Sequence, residues 1–490
     1  MKVSQKIISS FFILPSLFFL LVFLWWHYQL GLTRYFDVDE FAHLSWSYQM
    51  LSGRKPYVDF LFFFPPGFAV FLMPLFALGS GVTPIIAGRL VQFGIFVLLV
   101  GVTMLLFWLQ RRSWVAILAG VFLAFLPLPF DKFLEIRPDT LATLLAMLGM
   151  ILQILALKGL TFLGKKVKPY QFLAGFFYAL SLLILPKTLP QVGVAVAVAL
   201  FTKNIRSLIV GLAVPLAAFG LWVLTLGNLD QVIYSLTKLP VEANKISQTF
   251  IMMPDLFFYP NTIFYGAGGW STGLVVNHAI WIIAIVVAAY RLVTPGKSWA
   301  EFLIASTFFT HVFFYIQIVP LKHTQYLIPI AVFVAFYAAD AVDMLWKKII
   351  GVNKLAAASL LTLFIIGLGW LWRVFVTVNT PKLAWTNADT IKELTTLFRT
   401  IPTSEYILDL TGQTIYYKHP YIACCLPIGQ SAPYLSRPLP SLALALEKTK
   451  TKYIFEGGLK RVTTLLPVDQ AYISVRYVSH PTIAGLLVRK

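Results

Sequence analysis

Four ionisable side chains fall within seven positions in Asp37-Val38-Asp39-Glu40-Phe41-Ala42-His43. Asp39 and His43 stand four apart and Glu40 three before His43, so on a helix all three project toward one place. Asp37 followed three residues later by Glu40 is also a capping-box pattern, with Asp in the Ser/Thr role. Capping employs Asp37 and Glu40 but needs neither Asp39 nor His43. That leaves Asp39 as the carboxylate best suited to take a proton from a hydroxyl. A second group, Asp131, Lys132, Glu135, Arg137 and Asp139, fits within nine residues between two apolar stretches. Lys187 follows Pro186 between two Leu-rich segments, and Lys322, His323 and Tyr326 open another apolar stretch. Lone cations at such places also serve as interfacial anchors. Together, a base beside several cations suits transfer from a phosphate-linked donor. The carboxylate accepts the proton of an attacking hydroxyl while Arg and Lys hold the leaving phosphate. The same cations could bind an anionic lipid with no reaction at all.

The elements that must carry these residues are set by an unusual composition. Hydrophobic residues make up 59% of the 490 positions and charged residues 12%, roughly half the charge of an ordinary soluble domain. So few ions cannot cover that much apolar surface in water, so the chain is expected to be an all-α polytopic membrane protein. Stretches long enough to cross a bilayer fall near 7–29, 84–109, 113–130, 138–157, 170–186, 188–202, 207–226, 273–291, 299–319, 324–345 and 354–378. That is about eleven transmembrane helices. The first, behind Lys2 and Lys6, is too long for a signal-peptide core and reads as a retained span. No internal repeat or paired broken segments of the transporter kind are evident.

Charge sets the direction. Lys2, Lys6, Arg111, Arg112, Lys158, Lys165, Lys166, Lys168, Lys203, Arg206, Arg291, Lys297, Lys347, Lys348 and Lys354 fall in one set of loops, with almost no carboxylates among them. That set is expected to be cytoplasmic, with the N-terminus, in a cell membrane. The net charge of +19 therefore reports topology; no basic stripe with interleaved aromatics exists to bind nucleic acid. The polar loops at 30–83, 131–137, around Lys187, 227–272 and 320–323 face outward. In the first of these, Phe41, Leu44, Tyr48 and Leu51 recur at helical spacing, which predicts an amphipathic helix lying on the outer surface and stopped near Gly53. The fourth outer loop, with Glu242, Asp255, Tyr259 and Tyr265, could order over a site on that face.

The chain divides near residue 380. Residues 1–380 form the transmembrane domain, and 381–490 a small extracytoplasmic α/β domain. Ile391, Leu394, Leu397 and Phe398 predict a helix, and Tyr406–Leu410, Lys452–Phe455 and Ala471–Val475 predict strands. The two cysteines, Cys424 and Cys425, are adjacent and rarely could bridge each other.

The pair Asp39-Glu40 after the first span, followed by a surface helix, Gly53, Pro56-Tyr57 and Pro65-Pro66, resembles the first loop of type-C membrane glycosyltransferases. These include protein O-mannosyltransferases and bacterial aminoarabinose transferases. Glu135-Ile136-Arg137-Pro138-Asp139, the Lys187 position and Lys322-His323-Thr324-Gln325-Tyr326-Leu327-Ile328-Pro329 look like their later landmarks, so the resemblance spans roughly residues 7–345. It implies inverting transfer of a sugar from a polyprenyl-phosphate donor to a glycan, lipid or protein acceptor of the cell envelope, at the outer membrane face. By position, Asp39 matches the proposed base and Glu40 its neighbour, with Asp37 beside them. Arg137, Lys187, Lys322 and His323 would contact the donor phosphate, and Asp139, Glu135, Tyr326 and Asp59 the substrates. Some relatives use a divalent metal; Asp37, Asp39, Glu40 and His43 could hold Mg²⁺ or Mn²⁺, with His43 allowing Zn²⁺. One departure stands out: Phe63-Phe64 precede Pro65 where aminoarabinose transferases carry a Glu-Lys pair. The alternative is a non-catalytic transporter or flippase of lipid-linked glycans, in which the same cations hold an anionic headgroup.

Overall fold

Proline breaks shape the face that carries the polar residues. The computed structural model describes residues 2–159, 168–245, 275–294, 296, 298–319, 323–350, 354–423, 431–457 and 461–490. The membrane part comprises α1 (Lys2–Thr33), α2 (Val38–Leu51), α3 (Gly67–Leu72), α4 (Thr83–Arg111), α5 (Ala116–Phe125), α6 (Pro127–Leu134), α7 (Pro138–Leu157), α8 (Lys168–Ile184), α9 (Leu189–Phe201) and α10 (Ile205–Leu224). It continues through α11 (Leu229–Ile233), α12 (Leu239–Asn244), α13 (Val275–Val293), α14 (Trp299–Phe313), α15 (Ile328–Ile350) and α16 (Lys354–Asn379).

Each of the expected apolar stretches contains helix, yet among the described residues only eight helices are long and apolar enough to cross a membrane alone. A ninth crossing requires the pair α5–α6, which bends by 79°. Leu126 precedes Pro127, whose ring excludes the helical conformation for its neighbour, and Leu126 is extended (φ −47°, ψ 117°). The expected 113–130 span therefore turns aside, and α6 carries Asp131 and Lys132 along the face that bears the polar loops. The expected spans at 170–186 and 188–202 are shorter apolar helices, Pro169–Ile184 and Pro186–Phe201. A helix of that length reaches about 24 Å against a hydrocarbon thickness near 30 Å. Their joint at Leu185, again extended before a proline (φ −159°, ψ 119°), carries Lys187.

Small residues let helices touch. A Cβ on Gly175 of α8 would strike the Leu208 carbonyl of α10, and one on Gly211 of α10 would strike the Phe172 carbonyl of α8. Backbones this close gain dispersion contacts that larger residues would forbid, which is how helices associate in lipid. On the face opposite the site, Arg111 donates to Glu301 (2.6 and 3.0 Å) and Asp340 (2.8 and 2.7 Å), and Arg291 donates to Asp340 (2.8 and 2.7 Å). Two of the arginines read from sequence as unaccompanied topological charge are thus ion-paired, with carboxylates that lie inside α14 and α15 rather than in loops.

Beyond α16 the chain forms α17 (Ala388–Thr400), α18 (Leu442–Lys448), α19 (Pro467–Arg476) and a sheet of β1 (Ile407–Asp409), β2 (Tyr453–Phe455), β3 (Tyr477–Ser479) and β4 (Leu486–Arg489), in the order β1-β2-β4-β3. The first pair is parallel and the other two antiparallel. The strand expected at Ala471–Val475 is instead inside α19; Pro467 at its first turn starts the helix and only Ile473 is buried.

This α/β unit packs directly on the loop 30–83. Tyr35 N–H donates to Trp385 O (3.1 Å), Asn387 N–H to Thr33 O (2.9 Å) and Leu61 N–H to Ile422 O (2.6 Å). Leu61 belongs to the same core as Leu408, Leu410 and Ile454. The helix expected to lie bare on the surface, α2, is therefore enclosed. Ser45, Ser47 and Gln49 on its polar side are buried, and Ser45 Oγ meets His419 Nε2 at 3.4 Å.

Candidate active site

Asp37 caps α2 as its sequence predicts. Its side chain accepts from Asp39 N–H (3.0 Å), and its own N–H donates to Glu40 Oε1 (2.8 Å). Glu40 then turns inward. It receives the Arg89 guanidinium of α4 through two bonds and the Ile136 N–H at 2.9 Å, and its side chain is 0% exposed. With both oxygens engaged, Glu40 ties α2, α4 and the segment 135–137 together rather than facing a substrate. Arg89 escaped the sequence reading, although a lone ionisable residue within an apolar span is itself a signal.

The segment 135–137 sits between α6 and α7, with Arg137 extended before Pro138 (φ −137°, ψ 148°). That geometry sends the guanidinium back over α2. Arg137 Nη2 donates to Asp39 Oδ2 (2.7 Å) and Asp37 Oδ1 (3.2 Å), while its Nε donates to Glu135. Glu135 also receives Lys132 Nζ (2.9 Å to each oxygen) and Arg34 Nη1 (3.0 Å). Fully enclosed, it is a hub for three cations and is not open to a substrate. Burial alone would raise the Glu135 carboxyl, but Lys132, Arg137 and Arg34 outweigh it and hold it well below the ordinary carboxylate range.

Asp39 differs from its neighbours: 49% of its side chain is exposed, against 21% for Asp37 and 0% for Glu40 and Glu135. It faces open space while one oxygen is held by Arg137. Its packed surroundings raise the carboxyl, but Arg137 first and then His43 and Lys132 hold it below the ordinary range. Lys132 also reaches Asp37 Oδ2 (3.3 Å).

Lys187 closes the other side, donating to Asp139 Oδ1 at 2.8 Å, with its Nζ 3.7 Å from the Tyr326 ring centroid. His323 lies within electrostatic reach of Lys132, Arg137, Asp39 and Lys187, and burial lowers its imidazole. Arg461, from the α/β unit, is within the same reach of Asp39 and Asp37 and donates to Leu410 O (2.9 Å). Lys322 and the loop residues Asp255, Tyr259 and Tyr265 lie outside the described residues; Glu242 instead accepts from Tyr234 Oη (2.8 Å) and Ser436 N–H (3.0 Å). Asp59 stands apart. It accepts Lys55 N–H (2.7 Å) beyond the far end of α2, roughly 20 Å along the helix from Asp39.

The expected metal ligands do not converge. Glu40 is taken by Arg89 and Asp39 by Arg137, while the His43 ring packs at 5.1 Å from Phe68 and 5.5 Å from Trp46. Burial pushes the His43 imidazole down to about 4. Among the described residues no group of three or more His, Cys, Asp or Glu side chains is arranged to hold an ion. The donor set does not fit a resident divalent metal.

A cavity of about 710 Å³ is lined by Met50, Arg54 and Lys55 at the C-terminal end of α2, Gly67 and Val70 of α3, Leu180 and Leu183 of α8, and Phe219 and Trp222 of α10. Phe68, next to Gly67, packs on His43, and Leu183 lies four residues before Lys187. The cavity and the charged site are thus linked through α3 and the end of α8, not through a shared lining residue.

Bundle, enclosed surface helix and appended α/β unit together match the fold of solved membrane glycosyltransferases. The crystal structure of the aminoarabinose transferase ArnT from Cupriavidus metallidurans in the apo state matches with a TM-score of 0.61, covering 98% of each chain at 12% identity. The structure of ArnT bound to undecaprenyl phosphate gives 0.57 at 13% identity, over 96% of this chain and 97% of that one. The apo oligosaccharyltransferase of Archaeoglobus fulgidus gives 0.52 at 13% identity, over 97% of this chain and 74% of the other. No sequence-family profile and no curated protein matches the chain. The likeness is one of fold.

Proposed function

We propose that this protein is an integral-membrane glycosyltransferase that moves a sugar from a polyprenyl-phosphate donor to a hydroxyl-bearing acceptor of the cell envelope at the outer face. The observation that carries this reading is Asp39, an exposed carboxylate in a ring of cations. Asp39 takes the proton of the acceptor hydroxyl, whose oxygen attacks the anomeric carbon. The bond from that carbon to the phosphate oxygen breaks, its electron pair leaves with the polyprenyl phosphate, and the anomeric configuration inverts. Lys187, Lys132 and Arg137 stabilise the charge that grows on the leaving phosphate.

Each of these cations already holds a carboxylate, so phosphate arrival means sharing: Lys187 between Asp139 and the donor, Arg137 between Asp39 and the donor. Arg137 keeps Asp39 ionised while aligning it. The largely apolar wall that α3, α8 and α10 give the 710 Å³ cavity suits the isoprenoid chain of the donor, with Leu183 of that wall four residues before Lys187. A wall of aromatic rings including Phe64, 6.1 Å from His43, replaces the ionic pair of aminoarabinose transferases, so the sugar it accepts is expected to differ from theirs.

The test is transfer of radiolabelled sugar from polyprenyl-phosphate donors by the reconstituted protein, wild type against Asp39→Asn, with donor binding measured on both. Wild-type transfer with a variant that binds donor but is slowed roughly 10²–10⁴-fold supports the base assignment. Equal movement of lipid across vesicles by both proteins, with no product from any acceptor pool, would overturn it in favour of transport.

A further inference from the structure

About a helix length from Asp39, at the C-terminal end of α2, lies a second polar cavity of about 120 Å³. It is formed where α2 meets the α/β unit and is lined by Tyr48, Gln49, Ser52 and Arg54 on one side and Tyr416 and Lys418 on the other. Two cationic residues therefore line one small space.

Their pairing differs from that of the cations around Asp39. Arg34, Arg89, Lys132, Arg137, Lys187 and Lys382 each form an ion pair with a carboxylate. Arg54 and Lys418 form none with any described residue. Arg54 donates to neutral oxygens, Gln49 Oε1 and Asp59 O, both at 2.6 Å, and lies 5.7 Å from the Phe60 ring centroid. The Asp59 carboxylate is near enough to act on Arg54 electrostatically but is occupied by Lys55 N–H (2.7 Å). The half-buried guanidinium thus bonds only neutral oxygens and has Asp59 as a through-space counter-charge rather than a bonded one. Tyr48, whose hydroxyl bonds no described residue, adds a donor.

We propose that this cavity binds a phosphate-type oxyanion, held between Arg54 and Lys418. Its volume suits one phosphate group and is too small for an oligosaccharide. Tyr416 Oη donates to Gly81 O at 2.6 Å, just before α4 begins at Thr83, so the site lies level with the outer end of a membrane helix. A free phosphate and the phosphate of a phospholipid headgroup can both arrive there. Bound anion would bridge α2 to the α/β unit and stiffen the helix that carries Asp39.

The proposal does not depend on the transfer reaction and is tested without it. Thermal unfolding of the full chain in detergent is followed with inorganic phosphate against chloride at matched ionic strength. A second arm, in phosphate-free buffer, uses nanodiscs of phosphatidylcholine, whose headgroup phosphate is offset by choline, with and without the net anionic phosphatidylglycerol. Wild type, Lys418→Gln, Arg54→Gln and Lys187→Gln are compared in both. Lys418 is exposed and its side chain has no internal bonds, so Lys418→Gln is expected to fold. The expected result is stabilisation by phosphate, phosphatidylglycerol or both. Apparent affinity falls roughly tenfold or more in Lys418→Gln and Arg54→Gln but persists in Lys187→Gln. A response to phosphate alone identifies the free ion and one to phosphatidylglycerol alone the headgroup. Stabilisation lost only in Lys187→Gln, or absent from both arms in wild type, overturns the proposal.

Discussion

Arg137 divides one guanidinium among Asp37, Asp39 and Glu135, and the consequences fall mainly on Asp39. A base held below the ordinary carboxylate range stays ionised through neutral and mildly acidic pH. Its sign is that of any depressed carboxyl: the ionised form is fully present above the unperturbed value near 4 and lost only as pH falls through the lowered one. The acid limb of the transfer rate is therefore expected below about pH 4 for Asp39. In Arg137→Gln, residual transfer is expected to lose activity at a higher pH, because the largest charge holding Asp39 down is gone while burial still pushes it up. A pH–rate profile of both proteins checks this; an unmoved acid limb would detach Asp39 from the profile. His43, held down to about 4, stays neutral across the same window and adds no limb above pH 5.

At the scale of elements, Glu135 and the prolines do the positioning. Pro127, Pro138 and Pro186 each force the residue before them out of the helical region, delivering Lys132 from α6, and Arg137 and Lys187 from the joints α6–α7 and α8–α9, to one place. Glu135 then neutralises Arg34, Lys132 and Arg137 inside a closed space. Glu135→Gln leaves buried cations short of a counter-charge and is expected to cost about 3–5 kcal/mol of stability, read as a lower unfolding temperature. Since the Glu135 pKa is depressed, the stability it adds is complete above its unfolded value and fades as pH falls through the folded one. The wild-type advantage over Glu135→Gln should therefore shrink in acid. Replacing Gly211 by Leu sets a side chain against the Phe172 carbonyl and should separate α8 from α10; loss of folded yield is the readout.

For the whole molecule, two ionic layers lie at opposite ends of the bundle. The layer of Arg111, Arg291, Glu301 and Asp340 joins α4, α13, α14 and α15 far from Asp39. Asp340→Asn should lower stability by about 3–5 kcal/mol with donor affinity of the folded protein unchanged, measured by unfolding and donor titration on one preparation. Orientation is open to direct labelling. In a background with Cys424 and Cys425 replaced, a cysteine at Val468, 71% exposed on the α/β unit, should react in intact cells with a membrane-impermeant maleimide. Protection until lysis would place that unit in the cytoplasm and reverse the direction read from the charge bias.

Much of this was legible in the residue order because it is local or compositional. Apolar runs named the helices, the Asp37-to-Glu40 spacing named the cap, and Asp39 stood out as the acid that capping does not use. Pro127 stands inside a stretch that reads as one span, 113–130, and the bend at Leu126 with the shortness of α8 and α9 changes the number of crossings. What only tertiary structure decided is which charges meet. Glu135 and Glu40 read in sequence as acids near a site, but partners 101 and 49 positions away, Arg34 and Arg89, enclose them. Arg461 and His419 approach α2 from a unit hundreds of positions later, and the surface helix is covered because that unit folds back onto it. Pairing across such separations depends on the whole packing of helices, which no local spacing encodes.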